Sequence, residues 1–150
     1  MTTQQRTRVI AVGLTIFEDH VLLAEGHDAV KGKTFYRGLG GEVEFGEHAD
    51  DAVVRELLEE LDRAVEVRAL LGVIENHFVF EGEPGHEIVF EYVLEFAPGA
   101  APADLKPLEA REGKAIFTAK WIPLAEVMAD MQQTYPEGMR DRLAGWLNSL

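Results

Sequence analysis

Residues 8–17 (RVIAVGLTIF) are apolar at successive positions rather than at alternate ones. Side chains along a strand point to opposite faces with a period of two, so a strand with one wet face alternates in polarity. A continuously apolar strand has to be covered on both faces. That requirement restricts the chain to a layered α/β arrangement, with helices on either side of a sheet. A second apolar run, VLLA at 21–24, follows a polar turn made of Glu18, Asp19 and His20, so the two runs read as a hairpin.

The remaining elements are consistent with that frame. Residues 31–45 and their edge carry Gly32, Gly38, Gly40, Gly41 and Gly46, a density that predicts turns and close backbone approach rather than a regular element. From His48 to Leu61 the hydrophobic period becomes helical. Ala49, Val53, Leu57 and Leu61 recur every four residues, and Ala52, Val54 and Leu58 widen the stripe. Residues 65–79 and 88–96 read as strands joined by a turn at Glu81-Gly82-Glu83-Pro84-Gly85. Three prolines exclude a helix or central strand at 97–107, leaving a loop or a mobile lid. A last strand at 115–122 and a short helix at 124–131 precede a final helix after Pro136. That helix would place Met139, Leu143, Leu147 and Leu150 on one face. The expected fold class is α/β: a three-layer α/β/α sandwich with a mixed β-sheet, one domain over residues 1–150.

The net charge of −13 argues against a general nucleic-acid binder, which recruits phosphates with surplus Lys and Arg. An acidic protein can still act on a phosphorylated substrate when a divalent cation stands between the negative partners. The plain alternative is that the charge serves solubility. With no cysteine there is no disulfide, zinc–thiolate site or cysteine nucleophile. No stretch approaches the roughly 20 apolar residues of a membrane span. The polar residues 1–8 lack the apolar core of a signal peptide, so the expected location is the cytoplasm.

Chemistry concentrates on the 48–61 helix. Glu56, Glu59 and Glu60 stand at i, i+3 and i+4 around one patch of its surface. Like charges at those spacings repel by about 0.2–0.5 kcal/mol per pair. Arg55 can pair with Glu59 but cannot neutralise three carboxylates, whereas Mg²⁺ takes oxygen ligands and leaves positions for water and phosphate. The plain reading of an acidic helix is a solvated, salt-bridged face. Ahead of it, Gly40 and Gly41 allow close approach to the backbone, and Glu47 stands at the helix start, as a dipole partner or an outer ligand.

The register of these residues resembles the Nudix box, G-x5-E-x7-R-E-U-x-E-E-x-G-U, where U is a bulky aliphatic residue. Gly41, Glu47, Arg55, Glu56, Leu57, Glu59 and Glu60 match at fixed spacing. Asp62 replaces the final glycine and Arg63 the aliphatic residue, departures that touch the helix end; Asp tolerates the left-handed conformation needed there. The resemblance implies that Glu56, Glu59 and Glu60 bind Mg²⁺, with Mn²⁺ as the alternative, and that the Gly40 carbonyl completes a site. It implies that Arg55 orients a glutamate, and that metal-activated water attacks a phosphorus of a nucleoside diphosphate linked to another group. The general base is a box glutamate or one on a later loop, where Glu109 and Glu112 are the candidates, Glu112 the nearer choice. Arg37 is a candidate for substrate phosphates, ahead of Lys31 and Lys33.

Other residues carry less. Phe35, Tyr36, Phe78 and Phe80 could stack on a base, although Phe78 and Phe80 read better as core. His77 and His86 read as polar ends of a sheet without metal-ligand spacing, and Trp121 and Trp146 as packing. Two substrate markers known in subfamilies are not met: Phe78 and Val79 stand where ADP-ribose enzymes tend to carry proline, and Phe80 where dinucleoside-polyphosphate enzymes tend to carry tyrosine. The expected function is a pyrophosphohydrolase acting on a small nucleoside diphosphate derivative, as a monomer or homodimer. The alternative is a catalytically silent nucleotide-binding sensor on the same scaffold. An isoprenyl-diphosphate isomerase relies on a cysteine that this chain lacks.

Overall fold

The computed structural model describes residues 5–150; of the polar start, residues 1–4 lie outside the described residues. The first half contains β1 (Thr7–Phe17), β2 (His20–Asp28), β3 (Lys33–Arg37), β4 (Leu39–Glu42), α1 (Ala49–Leu61) and β5 (Val65–Phe80). The second contains β6 (Glu83–Phe96), β7 (Leu108–Glu112), β8 (Ala115–Pro123), α2 (Leu124–Met128), β9 (Thr134–Tyr135) and α3 (Met139–Asn148). The sheet is mixed. β1 runs parallel to β6, β3 runs parallel to β9, and the other pairs are antiparallel.

β1 is covered on both faces, as its apolar run requires, and every residue from Ile10 to Thr15 is buried. On one face α1 supplies Ala52, Val53 and Leu57 to a core shared with Ala11, Leu39 and Leu94. On the other, Val127 of α2 and Met139 and Leu143 of α3 pack with Leu14, Leu23 and Val93. Each fully buried Leu or Val stabilises by about 1.5–3 kcal/mol relative to exposure. The three-layer α/β/α sandwich with a mixed sheet is therefore the observed architecture. Arg142 of α3 reaches through its layer to Glu91 of β6, donating from Nε to Oε1 at 2.6 Å. Glu91 is fully buried, and burial raises its pKa against the pull of that guanidinium. Among the described residues, no helix is long and apolar enough to cross a membrane.

The β1–β2 and β5–β6 hairpins turn more tightly than their sequences suggest. Glu18 and Asp19 alone form the first turn, with φ of 47° and 60°, and His20 already belongs to β2, opposite Phe17. Glu81 and Gly82 alone form the second, with φ of 50° and 82°. Two-residue turns with positive φ match the twist of the flanking strands, so Glu83, Pro84 and Gly85 are drawn into β6. Pro84 is tolerated there because β1 begins to pair with β6 only at His86.

The glycine-rich segment 31–45 departs from expectation by holding two strands, β3 and β4. Gly38 and Gly40 serve strand packing, while Gly32 takes a left-handed φ of 65° in a turn. β4 lies along Ile10–Gly13 of β1, and a Cβ on Gly40 would stand 1.9 Å from the Ala11 carbonyl oxygen. β1 parts from β2 beyond Thr15, and β4 takes the vacated edge, which sets Gly41 opposite Ala11 beneath α1. β7 is also additional: residues 108–112 pair with β8 instead of ending the proline-rich loop. The 97–107 loop is tied down, with Pro102 buried and Arg63 Nη1 donating to the Ala100 carbonyl at 2.9 Å. Leu150 lies beyond α3 and is 80% exposed, so the apolar face of that helix ends earlier than its pattern implies.

Gly40→Ala drives a methyl into the β1 backbone and is expected to destabilise the protein by about 3 kcal/mol, read as a lower urea midpoint in metal-free buffer.

Candidate active site

α1 begins after His48, an extended residue whose side chain caps no helix N–H, and ends at Asp62, whose φ of 55° and ψ of 39° are left-handed. The Asp62 N–H closes the helix by donating to the Leu58 carbonyl at 2.9 Å. A short polar side chain tolerates that conformation in place of glycine. At about 100° per residue, Glu60, Glu56 and Glu59 stand roughly 60°, 100° and 160° around the helix from Leu57, on one side. Their burial follows that order. Glu60 is 4% exposed, the Glu56 side chain 14% and the Glu59 side chain 58%. Leu58, expected to widen the apolar stripe, points the other way and is half exposed.

Arg55 organises the neighbourhood. Its Nε and Nη2 donate to the two Glu47 oxygens at 2.8 and 2.9 Å, a bidentate pair. Nη1 donates to Glu56 Oε1 at 3.0 Å and reaches Glu59 at 3.3 Å, while Nη2 also donates to the Glu42 carbonyl at 3.2 Å. Hydrogen bonds from Arg55, then from the Glu44 N–H, hold the Glu47 carboxyl down at about 2. With both oxygens engaged, Glu47 stands behind the other glutamates as the anchor of Arg55. Gly41 faces Glu56, and a Cβ there would lie 2.4 Å from the Glu56 carboxyl carbon. The glycine leaves room for a carboxylate.

Glu60 is the perturbed member of the set. Burial first, then the Glu56 and Glu112 charges, push its pKa up to about 9, against an opposing pull from Arg37. Among the described residues its Oε1 is shielded from solvent and accepts no hydrogen bond. A buried carboxylate oxygen without a donor is costly, and more so beside other carboxylates. A divalent cation removes that cost, so Glu56, Glu59 and Glu60 fit an oxygen-liganded ion.

The charges of Arg37 and Glu112 both bear on Glu60, and the other candidates are engaged elsewhere. Glu112 lies on strand β7 and not on a loop. It shares a face with Ala110, which packs in the α1 core, whereas Glu109 alternates to the other face and pairs with Arg111 at 3.0 Å. Lys31 is occupied elsewhere, donating from Nζ to the Val79 carbonyl at 2.7 Å. Lys33 is an exposed residue of β3 paired with Asp28.

Above Arg37 the tips of the β2–β3 and β5–β6 hairpins are fastened together. The buried Asp28 carboxylate accepts the Val30, Lys31 and Glu81 N–H groups at 2.9–3.0 Å, and these bonds lower its pKa. The clasp sets Phe80 edge-on to Phe35 at 5.9 Å, and Phe35 meets Tyr135 at 5.4 Å. Phe80 is therefore 40% exposed and Phe78 half-buried, so neither is core. Tyr36, one residue from Phe35, turns to the α3 layer, and Trp121 and Trp146 pack as expected. Glu87 of β6 was not anticipated. Burial raises its pKa, with Arg8 and Arg37 acting against that rise. No local pattern marks it, because the β5–β6 register places it.

Residues 6–143 match the NUDIX domain family. The chain belongs to this family. It is 30% identical over 97 residues to the putative mutator protein MutT4 of Mycobacterium tuberculosis, a match covering 65% of this chain. The matched stretch spans only 36% of that longer relative. The fold is similar to that of a MutT protein from Methanosarcina mazei, with a TM-score of 0.62 at 17% identity over 99% of this chain and 98% of that one. It is also similar to an ADP-ribose pyrophosphatase from Streptococcus suis, with a TM-score of 0.57 at 15% identity over 91% and 87% of the two chains.

Two outcomes are expected from this geometry. Gly41→Ala pushes the Glu56 carboxylate from its place and is expected to lower kcat by about 10²-fold, a larger effect on turnover than on the urea midpoint. For Glu60, a folded pKa near 9 against an ordinary 4.5 means that the folded chain holds a proton the unfolded chain has lost. Stability of the metal-free protein therefore falls as pH rises from about 4.5 towards 9. Glu60→Gln removes that slope, so melting midpoints in EDTA should favour the variant increasingly between about pH 5 and 8. Parallel curves for the two proteins would mean that Glu60 carries no such burden.

Proposed function

We propose that the chain is a pyrophosphohydrolase, one hydrolase domain over residues 1–150, that cleaves a diphosphate linkage in a nucleoside diphosphate derivative. The observation that carries this reading is the buried Glu60 carboxyl group, whose Oε1 accepts no hydrogen bond among the described residues, standing with Glu56 and Glu59 on one side of α1. Glu56, Glu59 and Glu60, with the Gly40 carbonyl, would hold Mg²⁺, or Mn²⁺ in its place. A divalent ion there supplies charge neutralisation at the phosphoryl oxygens and a lowered pKa for water.

The chain's own residues do the rest. Arg55 restrains Glu56 and Glu59 against their mutual repulsion, and Glu47 restrains Arg55. Glu112 is the base in this reading, accepting a proton from the attacking water at its carboxylate, while Glu56 remains with the metal set. Arg37 binds a substrate phosphate: it is exposed, and it has no ion-pair partner among the described residues. Phe35 shares its face of β3 and meets Phe80 and Tyr135. This edge offers aromatic surface for a nucleobase two residues from a cation for its phosphates.

The ADP-ribose pyrophosphatase in its fold class and the mutator protein in its sequence class mark the range of substrates to try. The expected location is the cytoplasm. A phosphate-release screen with Mg²⁺ over nucleoside triphosphates, nucleotide sugars, ADP-ribose and dinucleoside polyphosphates tests the reading. At least one class should be cleaved, and Glu59→Gln should lose at least about 10²-fold in turnover. Binding of nucleotides without cleavage of any would favour the silent sensor, and an equally active Glu59→Gln would remove the glutamate site from the chemistry.

A further inference from the structure

A second group of potential metal ligands lies on the β5–β6 hairpin, sharing no hydrogen bond or ion pair with the α1 glutamates. Glu75 and His77 are two apart on β5, so their side chains leave the same face of the strand. The strand register sets His86 of β6 directly opposite His77. The two imidazoles stack with centroids 4.0 Å apart and planes 25° apart. Glu75 Oε1 lies 3.0 Å from His77 Nε2 and 3.7 Å from His86 Nε2. One ligand atom from each of the three residues falls within 4.8 Å of the others. Ligands about 2.0–2.1 Å from a tetrahedral zinc stand about 3.3 Å apart, so small rotations about the side-chain bonds suffice to close the set on one ion.

Two details distinguish this group from a surface ion pair. His86 Nδ1 lies 3.1 Å from Thr7 Oγ1 of the neighbouring strand. With Nδ1–H donating to that hydroxyl, the Nε2 lone pair is left facing His77 and Glu75. A ring nitrogen held in this way fixes both tautomer and orientation for a metal on the other nitrogen. Moreover, among the described residues His86 Nε2 is shielded from solvent and has no hydrogen-bond partner. The other two ligands are well exposed, so an ion can enter from solvent.

We propose that Glu75, His77 and His86 form a metal site of their own, taking Zn²⁺ or a similar transition ion, with a fourth position open to water. Two imidazoles and one carboxylate suit Zn²⁺, Ni²⁺ or Cu²⁺, whereas Mg²⁺ prefers an all-oxygen shell. The chain would thus sort two kinds of cation by donor type: a hard ion at the α1 glutamates and a borderline ion on the hairpin. An ion bound here joins β5 to β6 and, through Thr7, is buttressed by β1.

Zinc chloride titrated calorimetrically into the full chain, with Mg²⁺ in saturating excess, tests this. One zinc per chain is expected, with binding weakened at least about 10²-fold by His77→Ala and by His86→Ala, and about tenfold by Thr7→Val. Glu56→Gln should leave it unchanged, and zinc should raise the melting midpoint of wild type but not of His77→Ala. Should His86→Ala fail to fold, the exposed His77 carries the test, and Co²⁺ in place of Zn²⁺ gives a second readout through the visible absorption of a tetrahedral site. Absence of zinc binding under these conditions would overturn the proposal. So would binding indifferent to both histidines, or binding lost in Glu56→Gln, which would assign the zinc to the glutamate cluster.

Discussion

The hydrogen bonds of Arg55 are the constraint on which the site depends. One guanidinium engages the two Glu47 oxygens, Glu56, Glu59 and the Glu42 carbonyl, and so ties α1 to the end of β4 and to the loop between them. A planar fork with five donors can serve that many acceptors at once, which an ammonium cannot. The arrangement holds several carboxylates close together without letting them disperse into solvent. Their repulsion is only partly relieved, and the residue least relieved is Glu60, which Arg55 does not touch. The geometry thus leaves one buried carboxyl group with an oxygen that no donor meets among the described residues.

The sheet makes that arrangement possible by how β1 divides its edge. Pairing with β2 at Thr15–Phe17 and with β4 at Ile10–Gly13 brings a glycine pair under the helix that carries the glutamates. Gly40 and Gly41 have different jobs there. One lets β4 lie against the β1 backbone, and the other leaves space for the Glu56 carboxyl. The helix layer on the opposite face, held by the Glu91–Arg142 pair, takes no part in the site but covers the second face of β1. Distance from the chemistry therefore does not make it dispensable, since a β1 exposed on one side would lose the burial that defines the sheet.

The chain's residue order carries these features wherever their signal is local. The α1 span, the left-handed Asp62 and the doubly covered β1 all follow from spacing and residue type, and the structure reproduces them. The glutamate register belongs to the same class, because a helix converts i, i+3 and i+4 directly into neighbouring positions. By contrast, β4 is masked by its own glycines and the glycine-free β3 by Gly32 and Gly38 on either side, since composition counts a glycine as a turn residue whether or not a strand lies against it. β7 was hidden by the prolines ahead of it, and with it the alternation that separates Glu112 from Glu109. Phe80 looked like core because alternation shows which residues share a face, not whether that face is covered.

The layered class, the acidic helix and the identity of the residues that crowd its surface can be read from residue order alone, because they rest on periods within single elements. Which glutamate is buried, which glycine serves backbone and which serves carboxylate, and which later acid acts on the cluster follow from how the strands and helices pack. The same packing brings His77 against His86 and fastens one hairpin tip to the other through Asp28. The physical reason is common to all of them. Burial and electrostatic coupling depend on which strands pair and in what register, and register is set jointly by segments far apart in the chain.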